Sequence, residues 1–179
     1  MFVYDCNFWI TIFNNFAQLN PITVNQIAIP QSAEEVSQLI SNHNGPISIG
    51  GGQYSQGGQI ATENCLFLDM RKMNRIVKLD KQKRQITVEA GITWRQIQEA
   101  IDPQDLSLKI MQSFSNFTVG GSLSVNAHGR YVNEGSIIRS VESIKIVLAD
   151  GTLVEASPTQ NSDLFFWCNW RLWRTRSNS

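Results

Sequence analysis

The sequence predicts an α+β fold, and three observations support this prediction. Several apolar runs have the length of strands rather than helices. Two segments, Ser32 to Glu35 and Thr93 to Gln96, have the spacing of a helix capping box. The pair Asp150-Gly151 lies between two strand-like runs and is a strong hairpin signal. Strands joined by hairpins and mixed with two helices favour α+β over a doubly wound sheet.

The first predicted elements are a strand, a helix and a second strand. Residues 27–29 form a short strand that ends at Pro30. A helix capped by Ser32 follows, with one apolar face made of Val36, Leu39 and Ile40. His-Asn-Gly-Pro at 43–46 ends this helix, and residues 47–49 form the next strand.

The middle of the chain is rich in predicted strands. Residues 66–68 and 76–79 are strand-like, and residues 81–84 form a charged turn. Residues 85–89 alternate apolar and polar side chains, which is typical of a strand with one buried face.

A helix capped by Thr93 should bury Ile97 and Ile101. Residues 143–148 and 152–155 should then pair as a hairpin across Asp150-Gly151.

Composition excludes several classes of function. The chain has 179 residues, enough for one domain with a core, and an apolar content of 42% that is ordinary for a globular protein. Fifteen basic residues balance fifteen acidic ones, so no global field indicates nucleic acid or an anionic membrane as partner. The two histidines, His43 and His128, lack a matched ligand set, so we expect no metal.

Cysteine usage and the N-terminus bear on location. Three scattered cysteines (Cys6, Cys65, Cys168) do not form a disulfide framework, and reduced thiols indicate a cytoplasmic protein. Residues 1–26 are apolar at the start but have no basic segment and no small-residue cleavage site. We interpret them as a packing arm rather than a signal peptide or a membrane span.

Two glycine-rich segments are candidates for ligand binding. The first, residues 50–58, follows a predicted strand and has five glycines in nine positions, so its backbone N–H groups can converge on a diphosphate. It matches neither a Walker loop nor a Rossmann fingerprint. The second, residues 115–130, has paired glycines before a run of small residues and again allows close backbone approach to a ligand. Taken singly, each segment is also compatible with a packing turn without ligand.

Six motifs in order carry a resemblance to a known family. They are the glycine loop at 50–58, Asp-Met-Arg-Lys-Met-Asn at 69–74, Val-Glu-Ala-Gly at 88–91, Thr-Val-Gly-Gly with Ala-His-Gly within 118–129, Ser-Val-Glu-Ser-Ile at 140–144 and Ala-Asp-Gly at 149–151. In this order they resemble the vanillyl-alcohol oxidase/p-cresol methylhydroxylase family of flavoproteins. The resemblance runs from about residue 27 to residue 166, an incomplete two-lobed FAD-binding domain of the p-cresol methylhydroxylase (PCMH) type.

The resemblance implies FAD as cofactor and names residues for it. The first loop would hold the diphosphate through Gly50, Gly51, Gly52, Gln53, Tyr54 and Ser55. The second segment would line the flavin and ribityl region through Thr118, Gly120, Gly121, Ser124, Ala127, His128 and Gly129. Many family members carry a flavin-linking histidine where this sequence has Tyr54, so we expect non-covalent FAD.

The family's reaction is hydride transfer from an alcohol or sugar-like carbinol to flavin N5. Substrate and base residues come largely from a C-terminal domain that we expect this chain to lack, so no catalytic residue is assigned and the chain alone should be inactive. The alternative is a non-catalytic nucleotide-binding or interaction module, a degenerate relative of the enzymes. Substrate, electron acceptor and oligomeric state are not specified by these motifs.

Residues 167–179 do not resemble the family, whose members continue with a glycine-rich stretch. A glycine codon, GGN, becomes NGG when read one base early, and NGG encodes Trp, Arg or Gly. Shifting the frame by one base allows glycine at Trp167, Trp170, Arg171, Trp173, Arg174 and Arg176. We therefore hypothesise a frameshift near Phe166; the alternative is a native basic tail that binds a partner or a membrane surface.

Overall fold

The structure of the protein is a computed structural model that describes residues 11–14, 18, 21–55 and 60–167. The strands are β1 Thr11–Phe13, β2 Ile22–Val24, β3 Gln26–Ala28, β4 Ile47–Gly50, β5 Leu66–Asp69, β6 Ile76–Asp80, β7 Gln85–Val88, β8 Ile144–Val147 and β9 Leu153–Ala156. The α-helices are α1 Ala33–Ser41, α2 Trp94–Ile101, α3 Val119–Ser124 and α4 Ser162–Trp167. Short 3-10 turns span Met70–Lys72, Asp102–Gln104 and Ile137–Ser140. This mixture of helices and strands confirms the predicted α+β class.

The first sheet is parallel and has the order β3-β5-β4. Its central strand β5, Leu-Phe-Leu-Asp, is buried along its whole length, which explains its continuous apolar run. Leu66 and Leu68 pack against α1 through Val36 and Ile40, as the helical spacing predicts. Ser32 caps α1 by accepting the N–H of Glu35 at 3.1 Å. The capping box is half formed, because the Glu35 carboxylate accepts the N–H of Gln31 instead.

The described part of the predicted arm covers the other face of β5. β1 and β2 pair antiparallel, with Phe13 opposite Ile22. The ring of Phe13 lies 4.1 Å from the ring of Phe67, and both side chains are buried with Val24 and Cys65. β5 is therefore covered on both faces.

The second core forms around α2. Thr93 makes the complete capping box with Gln96 that its spacing predicts. The buried side chains of this core are Ile92, Trp94, Ile97, Ile101, Ile110, Met111 and Ile137. The antiparallel hairpin β6–β7 packs on it through Leu79, Ile86 and Val88.

The last hairpin, β8–β9, turns at Gly151, whose φ of 83° lies in the left-handed region. The Ser37 hydroxyl of α1 donates a hydrogen bond to the Gly151 carbonyl. The hairpin is thereby joined to the first helix.

Two helices are absent from the sequence prediction. α3 has six residues, two of them glycine, and α4 also has six. Neither is long enough to show helical periodicity in the sequence, and glycine is a poor helix former. α3 forms because Thr118 caps it and neighbouring segments accept its first N–H groups.

Candidate functional site

The first glycine-rich segment, residues 50–55, leaves the sheet at the carboxyl end of β4. Gly50 is buried, and an added Cβ at this position would collide with the ring of Phe67. Gln53 adopts a φ of 62°, in the left-handed region that favours glycine. The loop is thus held on the core at one end and sharply turned in its middle. Residues 56–59, which complete the predicted loop, lie outside the described residues.

Two backbone donors of this loop have no acceptor in the part of the chain that the structure describes. Among the described residues, the N–H groups of Gly52 and Gln53 donate to no protein acceptor. Consecutive N–H groups beside a residue in the left-handed conformation form a concavity that binds anions. The loop therefore suits a diphosphate without requiring a lysine or arginine.

The first loop meets the second segment. A Cβ added to Gly51 would collide with the hydroxyl oxygen of Thr118, and one added to Gly52 would lie 3.5 Å from the Asn116 carbonyl oxygen. At Gly51, only the absence of a side chain lets the loop backbone approach so closely. The structure thus brings together the two segments that the sequence singled out.

Aromatic side chains extend this contact. The Tyr54 ring packs edge-on against Phe114 and Phe117, with ring centroids 5.6 and 5.2 Å apart. Phe114 and Phe117 also contact each other at 5.1 Å. Such edge-to-face arrangements are favourable and fix ring positions. Tyr54 is thereby held against the second segment.

The second segment uses its backbone donors inside the protein. Val119 N–H donates to the Ile92 carbonyl at 2.9 Å and Gly120 N–H to the Ala90 carbonyl at 2.8 Å. Gly121 N–H donates to the Thr118 hydroxyl at 3.3 Å, and Ser122 N–H to the Thr118 carbonyl. The N–H groups at the start of α3 are therefore satisfied within the protein.

A cavity of about 450 Å³ opens beside the second segment. Its wall consists of Gln112, Ser113, Phe114, Phe117, Val125, Asn126, Ala127 and His128. This volume and mixture of aromatic and polar side chains are typical of small-molecule sites. Asn126 contributes a buried Oδ1 acceptor that has no partner within the described part of the chain.

Only two of the predicted site residues, Ala127 and His128, lie in this wall. Gly120 packs on Ala90, Gly129 lies under the Met111 carbonyl, and the buried Thr118 caps α3. The exposed Ser124 hydroxyl donates to the Gly120 carbonyl at 2.8 Å. These residues support the wall rather than form it.

Sequence reasoning missed Gln112, Phe114 and Phe117. Phe114 and Phe117 precede the Gly120-Gly121 pair by six and three residues, and pockets for small molecules are lined largely by aromatic and apolar side chains, so these two were the available signal. Gln112 gives no such signal in the sequence.

The companion motifs are structural. Asp69 is buried and forms a bidentate pair with Arg71. The Glu89 carboxylate accepts hydrogen bonds from the Arg75 guanidinium and backbone N–H, which hold the pKa of Glu89 below its usual range. The same hydrogen bond raises the pKa of Arg75. These pairs fix the chain on either side of Gly91, where an added Cβ would collide with the Met70 carbonyl.

A search for other kinds of site covered the same described residues. It found no cluster of three or more His, Cys, Asp or Glu side chains able to hold a metal. Within these ranges, no helix has the length and apolar character needed to cross a membrane.

Comparison with known proteins identifies relatives. The L-gulonolactone oxidase of Mus musculus is 31% identical over 156 residues, covering 86% of this chain and 35% of the relative. The Bos taurus enzyme of the same name is 30% identical over the same shares. The decaprenylphosphoryl-beta-D-ribose oxidase of Mycolicibacterium smegmatis is 28% identical, covering 78% of this chain and 29% of the relative.

The chain therefore spans about a third of the length of these relatives. A family model described as an FAD binding domain matches residues 24–157, which include both glycine-rich segments and the cavity wall. This range agrees with the PCMH-type resemblance of the sequence motifs. The chain belongs to the FAD binding domain family of flavin-dependent oxidoreductases.

Proposed function

We propose that this chain is the FAD-binding portion of an oxidoreductase that oxidises an alcohol or a sugar-like carbinol. The observation that carries this proposal is the pair of N–H groups at Gly52 and Gln53 that have no acceptor among the described residues, in a loop that touches the cavity-bearing segment. FAD needs both features, since it has an anionic diphosphate next to a flat aromatic ring system. The donor set therefore fits the cofactor.

In this proposal the diphosphate binds to residues 50–55 and the flavin end enters the cavity. Ala127 and His128 contact the flavin region directly, because they line the cavity. Thr118, Gly120, Gly121, Ser124 and Gly129 contribute by shaping the wall. Within the second segment, some residues thus contact the flavin and their neighbours support the cavity wall.

Bound FAD would supply the electron acceptor, at flavin N5, for a hydride removed from the substrate. The relatives named as L-gulonolactone oxidases support a sugar-like substrate. Because the chain spans about a third of their length, the groups that hold the substrate and take its proton are assigned to the remaining part of such a protein. The chain alone is then inactive and binds cofactor only.

We infer non-covalent attachment of FAD. Tyr54 stands at the position of the family's linking histidine, and its ring packs edge-on against Phe114 and Phe117, which also contact each other. A phenol held against aromatic rings offers no imidazole for a bond to the flavin. Denaturation should therefore release the flavin unchanged.

The domain limits are also part of the proposal. Residues 1–26 form an arm, residues 27–166 an incomplete two-lobed domain, and residues 167–179 the product of a one-base frameshift. Residues 168–179 lie outside the described ranges.

Sequencing the gene tests the frameshift. A glycine-rich continuation in the neighbouring frame is expected, and its absence would reject the frameshift. A cytoplasmic location is proposed from the scattered cysteines.

The test of the proposed function is the colour of the protein. The purified chain is mixed with FAD, separated from free cofactor by gel filtration, and examined for the visible flavin band. A retained band that moves to the supernatant after acid precipitation is expected. A colourless chain would favour the alternative, a non-catalytic relative. A band that stays with the precipitate would contradict non-covalent attachment.

A further inference from the structure

A buried hydrogen-bond chain connects α2 to the cavity wall. The indole N–H of Trp94 donates to the hydroxyl of Ser122 at 2.8 Å. The Ser122 hydroxyl lies 2.5 Å from the amide oxygen Oε1 of Gln112. Trp94 and Ser122 are 4% and 1% exposed, so water does not compete for these groups.

Hydrogen-bond distances indicate the orientation of the Gln112 amide. An indole nitrogen only donates, so Ser122 accepts from Trp94 and keeps a single proton to donate. The Thr118 carbonyl, 2.9 Å from the same hydroxyl, can accept this proton as well as the N–H of Ser122. Gln112 is nearer, and its separation of 2.5 Å from the hydroxyl suits an O–H···O bond and is too short for an N–H···O bond, which places the amide oxygen toward the core. Amide orientations are assigned from such networks.

This orientation leaves the amide nitrogen of Gln112 for the cavity. Gln112 lines the cavity with Phe114, Phe117 and His128. Within the described ranges, its Nε2 donates to no protein acceptor. Two N–H donors are thus available in a wall that otherwise combines four apolar side chains with the polar Ser113, Asn126 and His128. A donor in such surroundings gains most from a ligand that brings its own acceptor.

We propose that Gln112 donates a hydrogen bond to the isoalloxazine ring of bound FAD, and that Ser122 is a positioning residue for Gln112. The inference rests on the proposed function, since it requires the flavin end to occupy this cavity. The ring has carbonyl oxygens and ring nitrogens as acceptors, and its flat faces suit Phe114 and Phe117. A hydrogen bond to this ring changes its electronic environment, so the visible absorption band reports the contact.

The first test replaces the donor. Gln112→Leu keeps similar volume and removes the amide. FAD is titrated into the full chain while flavin fluorescence and the visible band are recorded. Binding should weaken about 3- to 10-fold, the size of one neutral hydrogen bond, and the band should shift. The control is Gln98→Leu on the exposed side of α2, which should change neither quantity.

The second test examines the role of Ser122 through Gln112. Ser122→Ala should weaken FAD binding and shift the band in the wild-type background. In the Gln112→Leu background, it should change neither affinity nor band, although thermal stability falls in both because the Trp94 indole loses its acceptor. Ser140→Ala is the matched control, because this hydroxyl bonds only to the Ile137 carbonyl.

Each outcome decides the inference. If the wild type binds FAD and Gln112→Leu binds equally well with an unchanged band, the contact is rejected while FAD binding stands. Weaker binding with an unchanged band would place the effect away from the flavin ring and also reject it. If Ser122→Ala still shifts the band in the Gln112→Leu background, the positioning role is wrong. If the wild type binds no FAD, the inference and the proposed function fall together.

Discussion

In residues 50–55 the N–H groups of Gly52 and Gln53 have no acceptor within the described chain, whereas every N–H group from Val119 to Ser122 donates to one. Both segments are rich in glycine, and each has glycines that allow close backbone packing. Residues 50–55 nevertheless retain N–H donors for a ligand, whereas the N–H groups at the start of the second segment bond to acceptors within the protein. Glycine content therefore indicates close approach, and only the hydrogen-bond partners show whether the approach is to a ligand or to the protein.

This difference assigns separate roles to the two segments. Under the proposed function, residues 50–55 bind FAD through the backbone, so their substitution should change FAD affinity more than stability. The residues of 118–129 that lie behind the cavity wall, such as Thr118 and Gly129, support it, so their substitution should change stability more than affinity. For each variant below, we compare the expected change in FAD affinity with the expected change in stability.

The largest expected effect is on stability, from Gly129→Val. The added side chain would meet the Met111 carbonyl and the Tyr131 ring, and backbone atoms cannot yield cheaply. The free energy of unfolding, measured by urea denaturation, should fall by about 3 kcal/mol. Val132→Ala, at a side chain that is 84% exposed, is the control and should stay within about 0.5 kcal/mol. Equal stability of both variants would contradict the supporting role of Gly129.

Next in size is Gly52→Pro, which removes one of the two free donors. FAD binding should weaken about 10- to 30-fold, because a hydrogen bond to a charged diphosphate is stronger than a neutral one. The melting temperature should change less than in Gly129→Val. Gln53→Gly is the control, because it keeps the N–H group and the left-handed conformation. Unchanged affinity in Gly52→Pro would remove the loop from the diphosphate site.

Local patterns predicted much of the fold, and tertiary contacts decided the rest. The strands around 66–68 and 85–89 and the capped helix at Thr93 follow from short-range spacing, and the structure contains them. The sequence did not predict α3, because the carbonyl groups of Ala90 and Ile92, which are distant in sequence, accept its first N–H groups. The cavity wall was not predicted for a similar reason. It combines residues 112–117 with 125–128, and the helix that lies between them in the chain was not predicted from the sequence.

Thr118→Ala should have an intermediate effect. It removes the hydroxyl that accepts the Gly121 N–H and caps α3. The free energy of unfolding should fall by about 1 kcal/mol, the usual size of a lost N-cap. FAD affinity should fall less than in Gly52→Pro. Thr118→Ser, which keeps the cap, should recover most of the stability; failure to do so would assign the effect to the lost methyl group.

The smallest effect concerns Glu89, outside both segments. Because Arg75 lowers the pKa of Glu89 from 4.5, the ionised carboxylate stabilises the fold above that pH, and this contribution is lost as pH falls through the lowered pKa. Glu89→Gln should lower the Tm by about 1–3 °C at pH 7, since Arg75 is largely exposed and solvent screens the pair.

The difference in Tm between the wild type and Glu89→Gln should narrow below about pH 4. The exposed Glu99→Gln on α2 is the control and should show no such narrowing. A constant difference from pH 7 to pH 3 would show that the ionised pair does not contribute.

The contrast between the two segments is tested most directly by following individual backbone amides during an FAD titration. The ¹⁵N-labelled full chain is titrated with FAD, and the amide proton shifts of both segments are recorded by NMR. The amides of Gly52 and Gln53 should move most and downfield, as new hydrogen bonds to the diphosphate require, while those of Gly120 and Gly121 move little. Large downfield shifts at Gly120 and Gly121, with Gly52 and Gln53 unmoved, would contradict the account.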